Sequence, residues 1–161
     1  MGVIPEAVYQ LVEKRLRGRG KQIRKAEEAV ARARAKATDI SAPRGSASGS
    51  SRGGKPESRV ERGVIAIARA ERRLEKAQRW ETVFRKMDEI FPPESNEGYV
   101  AGMIYGNGMS QAELARLSGC SRQTIKIRQD RYVIRAAFLA AQAGLIREEV
   151  TEENGGIDQK E

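Results

Sequence analysis

The apolar residues of this chain recur at steps of three, four and seven, a period that matches an α-helix and not the alternating faces of a β-strand. Val8, Leu11, Val12, Leu16, Ile23, Ala26 and Val30 form a first track, which predicts a helix over about 5–36 within a basic N-terminal segment, 1–40. Pro5 suits its first turn, and Glu6 follows where the helix dipole favours an acid. Gly18 and Gly20 interrupt the track. Glycine inside a helix costs about 1 kcal/mol relative to alanine, so a kink or break is expected near 18–20.

A second track, Val60, Val64, Ile67, Leu74, Ala77, Trp80, Phe84, Met87 and Phe91, predicts a long amphipathic helix over 58–91, capped by Ser58 and stopped by Pro92-Pro93. At 1.5 Å per residue it would run roughly 50 Å. Such a helix does not bury its stripe alone. The first helix folded back on it, or the same helix of a second copy, would cover it, and a homo-oligomer, dimer or higher, is expected. Trp80 reads as an anchor of the buried face. Between the tracks lies SAPRGSASGSSRGGKP, which offers no apolar face, so 41–57 reads as a flexible linker.

Composition narrows the chemistry. The 161 residues include eight aromatics, no histidine and one cysteine, Cys120. Without histidine, Ser-His-Asp and Cys-His nucleophiles and histidine metal sites are excluded. One cysteine excludes an internal disulfide and suits a reducing cytoplasm, where Cys120 reads as a small inert thiol. No apolar run approaches the roughly 18 residues that span a bilayer, and 1–11 lacks the layout of a signal peptide. No phosphate-binding glycine loop, metal cluster or carboxylate pair is evident, so neither an enzyme nor a cofactor is expected. Glu27-Glu28 and Glu148-Glu149 read as solvated helix charges.

The charge points to a polyanion. Thirty Lys and Arg against 22 Asp and Glu leave a net +8. By the same count, residues 1–36 carry +6 and 92–147 carry +3, and the tail 148–161 carries −5. The largest share therefore sits on the first helix, which predicts a second contact surface there. An acidic, disordered tail is expected over 147–161.

After Pro93 the pattern shortens. Tyr99, Val100, Met103 and Ile104 suggest a helix over 97–105, and then comes MSQAELARLSGCSRQTIKIRQ. Ser110 with Glu113 has the spacing of a capping box, and Leu114, Ala115 and Leu117 supply an apolar face. Gly119 suits the left-handed end of that helix, and Ser121 caps the next, to about Ala143. This is the sequence form of a helix-turn-helix, within a head at 97–146. Leu114, Ala115, Gly119, Cys120 and Ile125 would form its core and turn. Its second helix would enter the major groove of double-stranded DNA with Arg122, Gln123, Lys126 and Gln129 facing bases. Gln111, Ser121, Thr124 and Arg128 would contact phosphates. The expected fold is all-α: long helical arms, as a coiled-coil-like hairpin or as oligomerisation helices, and a C-terminal helix-turn-helix head.

Taken in order, these segments resemble the RinA/ArpU group of phage transcriptional regulators, which activate late-gene operons. IPEAVYQLVEKRL looks like that group's opening helix, and APRGSASGS before a long charged helix looks like its linker. GMSQAELARLSGCSRQTI stands in the place of its helix-turn-helix, which is similar to the promoter-reading region of sigma factors. The resemblance covers residues 3–140. It implies a regulator of phage or prophage origin in a bacterial cytoplasm, with double-stranded DNA and host RNA polymerase as partners and no membrane. Arg128 departs from the pattern, standing where an apolar residue is usual, with Tyr132 or Ile134 as substitutes for that packing. ELARLSGCS reads equally well as a repressor-type unit, which leaves the sign of regulation open. A small terminase subunit that recognises a packaging site is the other alternative.

Overall fold

The computed structural model describes residues 4–39 and 59–149. The expected linker, the Ser58 cap and all but the first three residues of the expected tail lie outside them. Every regular element among the described residues is helical: α1 (Glu6–Arg17), α2 (Lys21–Asp39), α3 (Arg59–Ile90), α4 (Asn96–Ala101), a π-helical turn (Gly102–Gly106), α5 (Gln111–Ser118) and α6 (Arg122–Gln142). None is long and apolar enough to cross a membrane. The helix expected over 5–36 is two helices. Arg17 ends α1, and Gly20, at φ +78°, takes a left-handed conformation that no helix interior accommodates.

The chain forms two compact units, one from Met1–Arg19 with Arg79–Glu161 and one from Gly20–Gln78. The first holds all eight aromatic residues. Its core joins Val12 and Leu16 of α1 to Trp80, Phe84 and Met87 of α3 and to Tyr132, Val133 and Ala136 of α6. Trp80 and Phe84 lie ring against ring, 5.6 Å between centroids, and Phe91 meets Tyr132 at 5.7 Å. Trp80 is thus the core anchor that its place in the apolar track suggests. The Arg15 guanidinium lies 5.7 Å from the Trp80 ring centre, a cation–π distance.

The chain after α6 turns back onto this core. Leu145 is fully buried, Glu149 pairs with Arg15, and Glu148 accepts from Arg79 at 2.6 Å. Glu148 and Glu149 are therefore structural partners rather than solvated charges. They cover the Trp80 cluster, and a bare carboxylate at the buried Glu149 position would be costly without its arginine.

The second unit is a helical hairpin. A Cβ added at Gly63 would come into contact with Ala37, 3.4 Å from its Cβ, and Arg34 of α2 bonds Glu71 of α3 at 2.8 Å. Residue numbers fall on one helix as they rise on the other, so the two run antiparallel. Ala26 and Val30 are buried on α2, as Ala70 and Ala77 are on α3. Small side chains at the fully buried positions let the backbones approach closely, and Ile67 and Leu74 flank them half-buried. Within one chain, then, α2 covers the α3 stripe from Ile67 to Ala77, whereas Val60 and Val64, expected on the same stripe, stand exposed.

Candidate nucleic-acid interface

The segment from Ser110 to Gln142 is built from strong local signals. The Ser110 hydroxyl accepts from the Glu113 amide at 3.3 Å, while the Glu113 carboxylate accepts from the Ser110 amide at 2.9 Å. The Ser110 hydroxyl also donates to the Glu113 carboxylate at 2.6 Å, and that bond first, then the one from the Ser110 amide, holds the Glu113 carboxyl below its ordinary pKa. Gly119 closes α5 at φ +64°. Ser121 then accepts from the Thr124 amide at 3.0 Å and starts α6.

A small apolar cluster fixes the two helices. Leu114 and Ala115 of α5 pack with Ile125 of α6, and Val100 and Ile104 close it from below. Cys120 is half-buried at its edge, within 3.9 Å of the Arg128 guanidinium, less enclosed than an inert core thiol would be. Leu117 does not join the cluster. It is 63% exposed, because α5 ends one residue later and turns that side outward. The helix expected over 97–105 is α-helical only in its first part and then widens. α4 stops at Ala101, and the π-helical turn carries Ile104 into the cluster.

The residues singled out for base reading separate into two groups. Arg122 and Gln123 stand in the first turn of α6, exposed, with no hydrogen bond or ion pair among the described residues. Lys126 is exposed one turn later and bonds Asp130 at 3.0 Å. Gln129 does not belong with them, since it is 4% exposed and both ends of its amide are bonded inside the molecule. Its Oε1 accepts from Gln111 at 2.7 Å, and its Nε2 donates to Glu13 and to the Tyr105 hydroxyl, both at 2.8 Å. The reason is rotational. Gln129 follows Ile125 by four residues and precedes Val133 by four, so it lies on the buried stripe of α6.

The phosphate candidates divide likewise. Gln111 is committed to Gln129. Ser121 and Thr124 satisfy each other at 2.8 Å as well as forming the cap. Arg128 is half-buried beside Cys120. Two outward residues escaped the sequence reading, Ile127, 43% exposed, and Arg131, which reaches Glu97 at 3.3 Å. Both follow Gln123 at four-residue steps, and that spacing was the available signal.

α1 braces α6 from behind. The Tyr9 hydroxyl donates to Asp130 at 2.7 Å, and the Tyr105 hydroxyl donates to Glu13 at 2.9 Å. Burial first, and then the neighbouring carboxylates, push both phenols well above their ordinary range, so they remain donors at any ordinary pH. Lys126 thus sits on a carboxylate whose position α1 fixes.

From Gln111 to Gln142 there are six Lys or Arg against two Asp or Glu. A guanidinium and an amide side by side, projecting without internal partners, can make paired hydrogen bonds to planar acceptors. No group of three or more potential metal ligands occurs among the described residues. Comparison with family models, with curated proteins and with solved structures finds no match.

Proposed function

We propose that the chain binds double-stranded DNA as a helix-turn-helix protein, with the first two turns of α6 in the major groove. The carrying observation is the pair Arg122 and Gln123: exposed and without internal partners at the start of a helix that is otherwise held by caps, core and α1. Arg122 suits guanine N7 and O6, and Gln123 suits adenine N6 and N7. Lys126 lies between Arg122 and Gln123 around the helix, and Ile127, one turn after Gln123, offers an apolar contact of the kind a thymine methyl accepts. One such helix reads only a few base pairs, so a second copy on a second half-site completes the reading.

The biological role we propose is transcriptional regulation of a phage or prophage late operon, in concert with host RNA polymerase. This part rests on the resemblance between the order of this chain's segments and that of the RinA/ArpU group. Capture of genomic fragments by the full chain, followed by sequencing, tests both levels. Enrichment of one sequence motif near a late promoter is expected. Enrichment inside a packaging site would overturn the transcriptional role in favour of a terminase-type role, and absence of any enriched motif would overturn sequence-specific binding.

A further inference from the structure

The net charge of the chain belongs to one of its two units. Gly20–Gln78 carries fifteen Lys or Arg against seven Asp or Glu, net +8, while the rest carries fifteen against fifteen, net zero. The break at Gly20 therefore reassigns most of the charge of the expected first helix to the hairpin. We infer that this hairpin is a second nucleic-acid contact, a basic face that holds the phosphates of a DNA duplex without reading sequence. The inference goes beyond the role of α6 and does not rest on it.

Helix geometry puts the cations together. On α2, Lys21, Lys25, Arg32 and Lys36 fall within an arc of about 60°, displaced about 110° from the centre of the buried seam. On α3, Arg62, Arg69, Arg73 and Lys76 fall within an arc of about 60° with the same displacement in the same rotational sense. In an antiparallel pair, equal displacement in the same sense brings both arcs to one side of the hairpin. Arg34 and Glu71 verify this, since both are displaced in the other sense and they meet at 2.8 Å on the opposite side.

The composition of the face selects its partner. No Asp or Glu falls within either arc between Lys21 and Lys36 or between Arg62 and Lys76. Lys25, Arg69 and Arg73 have no ion pair among the described residues. A helix that lies on a membrane needs large apolar residues beside its cations. Within these arcs there are none: Ile65, 41% exposed, borders the α3 arc, Val60 and Val64 lie away from it, and the hairpin's other large apolar side chains serve the seam. From Arg62 to Lys76 the basic row extends about 21 Å along α3. Over that length a duplex presents on the order of 12 phosphates. A cationic, non-apolar plane of that length fits a regular polyanion.

The test is the salt dependence of binding by the full chain to a mixed-sequence duplex of about 24 base pairs, a length well beyond the row of charge. Lys25→Gln, Arg69→Gln and Arg73→Gln together are expected to lower the slope of log K against log salt by about 2.7, at about 0.9 per lost phosphate contact. A control variant removes equal charge elsewhere, with Lys14→Gln, Arg85→Gln and Lys86→Gln, and is expected to change the slope by less than half as much. All six positions are exposed, so an unaltered far-UV spectrum should show that both variants fold. Equal effects of the two variants, or no effect of the first, would overturn the inference. So would absence of duplex binding by the parent chain. Binding to vesicles containing anionic lipid but not to duplex would also overturn it and assign the face to a membrane. Arg122→Ala with Gln123→Ala, measured on the same duplex, separates the two readings. That variant is expected to alter the preference among sequences while leaving most of the slope in place.

Discussion

Gly98 and Gly119 show how differently one residue type can be required. At Gly119 an added Cβ meets nothing within 4 Å, so only the left-handed backbone at φ +64° resists substitution. Gly119→Ala should cost about 1–2 kcal/mol, lowering the thermal midpoint by several degrees without altering the fold. At Gly98 a Cβ would press into the carbonyl oxygens of Phe91 and Pro92, which are backbone and cannot step aside. Gly98→Ala should therefore be the more destabilising in the same melts, and a smaller effect than at Gly119 would contradict the packing of α4 on the end of α3. Tyr132 gives the pH dependence. Burial first, then the Asp88 carboxylate, raise its phenol from 10.0 to about 12. The neutral phenol thus contributes stability that is fully present below pH 10 and is lost as pH rises from 10 through 12. Urea midpoints should fall over that window, and Tyr132→Phe should remove up to about 1.4 kcal/mol per pH unit from the slope. Of the residues proposed to face DNA, the exposure of Arg122 and Gln123 was legible, because the first turn of a capped helix has little beneath it. Gln129 was not, since a glutamine on a basic helix gives no sign that Glu13 and Tyr105, distant in sequence, complete its hydrogen bonds.

At the scale of elements, the helices follow from their own ends. The stop at Pro92-Pro93, the Ser110 capping box, the left-handed Gly119 and the Ser121 cap all stand where short-range rules require them. Short-range rules failed at the end of α6. Glu148 and Glu149 looked like solvated charges at the start of an acidic tail, yet both pair with arginines of α3 and α1, and Leu145 just before them fills the Trp80 cluster. Those partners lie 69 and 134 residues away in sequence, beyond any periodicity. Truncation after Gln142 removes a fully buried leucine and takes Glu149 away from Arg15. It should cost at least about 2–5 kcal/mol, the range for deleting a buried leucine side chain. A urea midpoint unchanged by the truncation would show that the segment is not part of the core. The exposed Leu117 was likewise misread from the apolar face of α5, because the left-handed turn ends the helix before a partner can reach that side.

For the whole molecule, two units of different composition share one long helix. The unit containing α6 is near-neutral and holds every aromatic residue; the hairpin carries the net charge and a seam of mainly alanine. Alanine buries little area, so the hairpin has far less apolar stabilisation per residue. Amide hydrogens of 21–39 and 59–78 should exchange faster than those of 125–140, and uniform protection would contradict this ranking. Near-UV circular dichroism reports the aromatic unit alone, so on heating its loss should trail the far-UV loss. Entry of α6 into the major groove is read out by methylation protection. With the full chain bound to its enriched site, guanine N7 in the major groove should be shielded from dimethyl sulfate, and Arg122→Ala should restore its reactivity while binding to mixed-sequence duplex persists. Full N7 reactivity throughout the bound site, with the complex intact, would show that α6 does not enter the major groove.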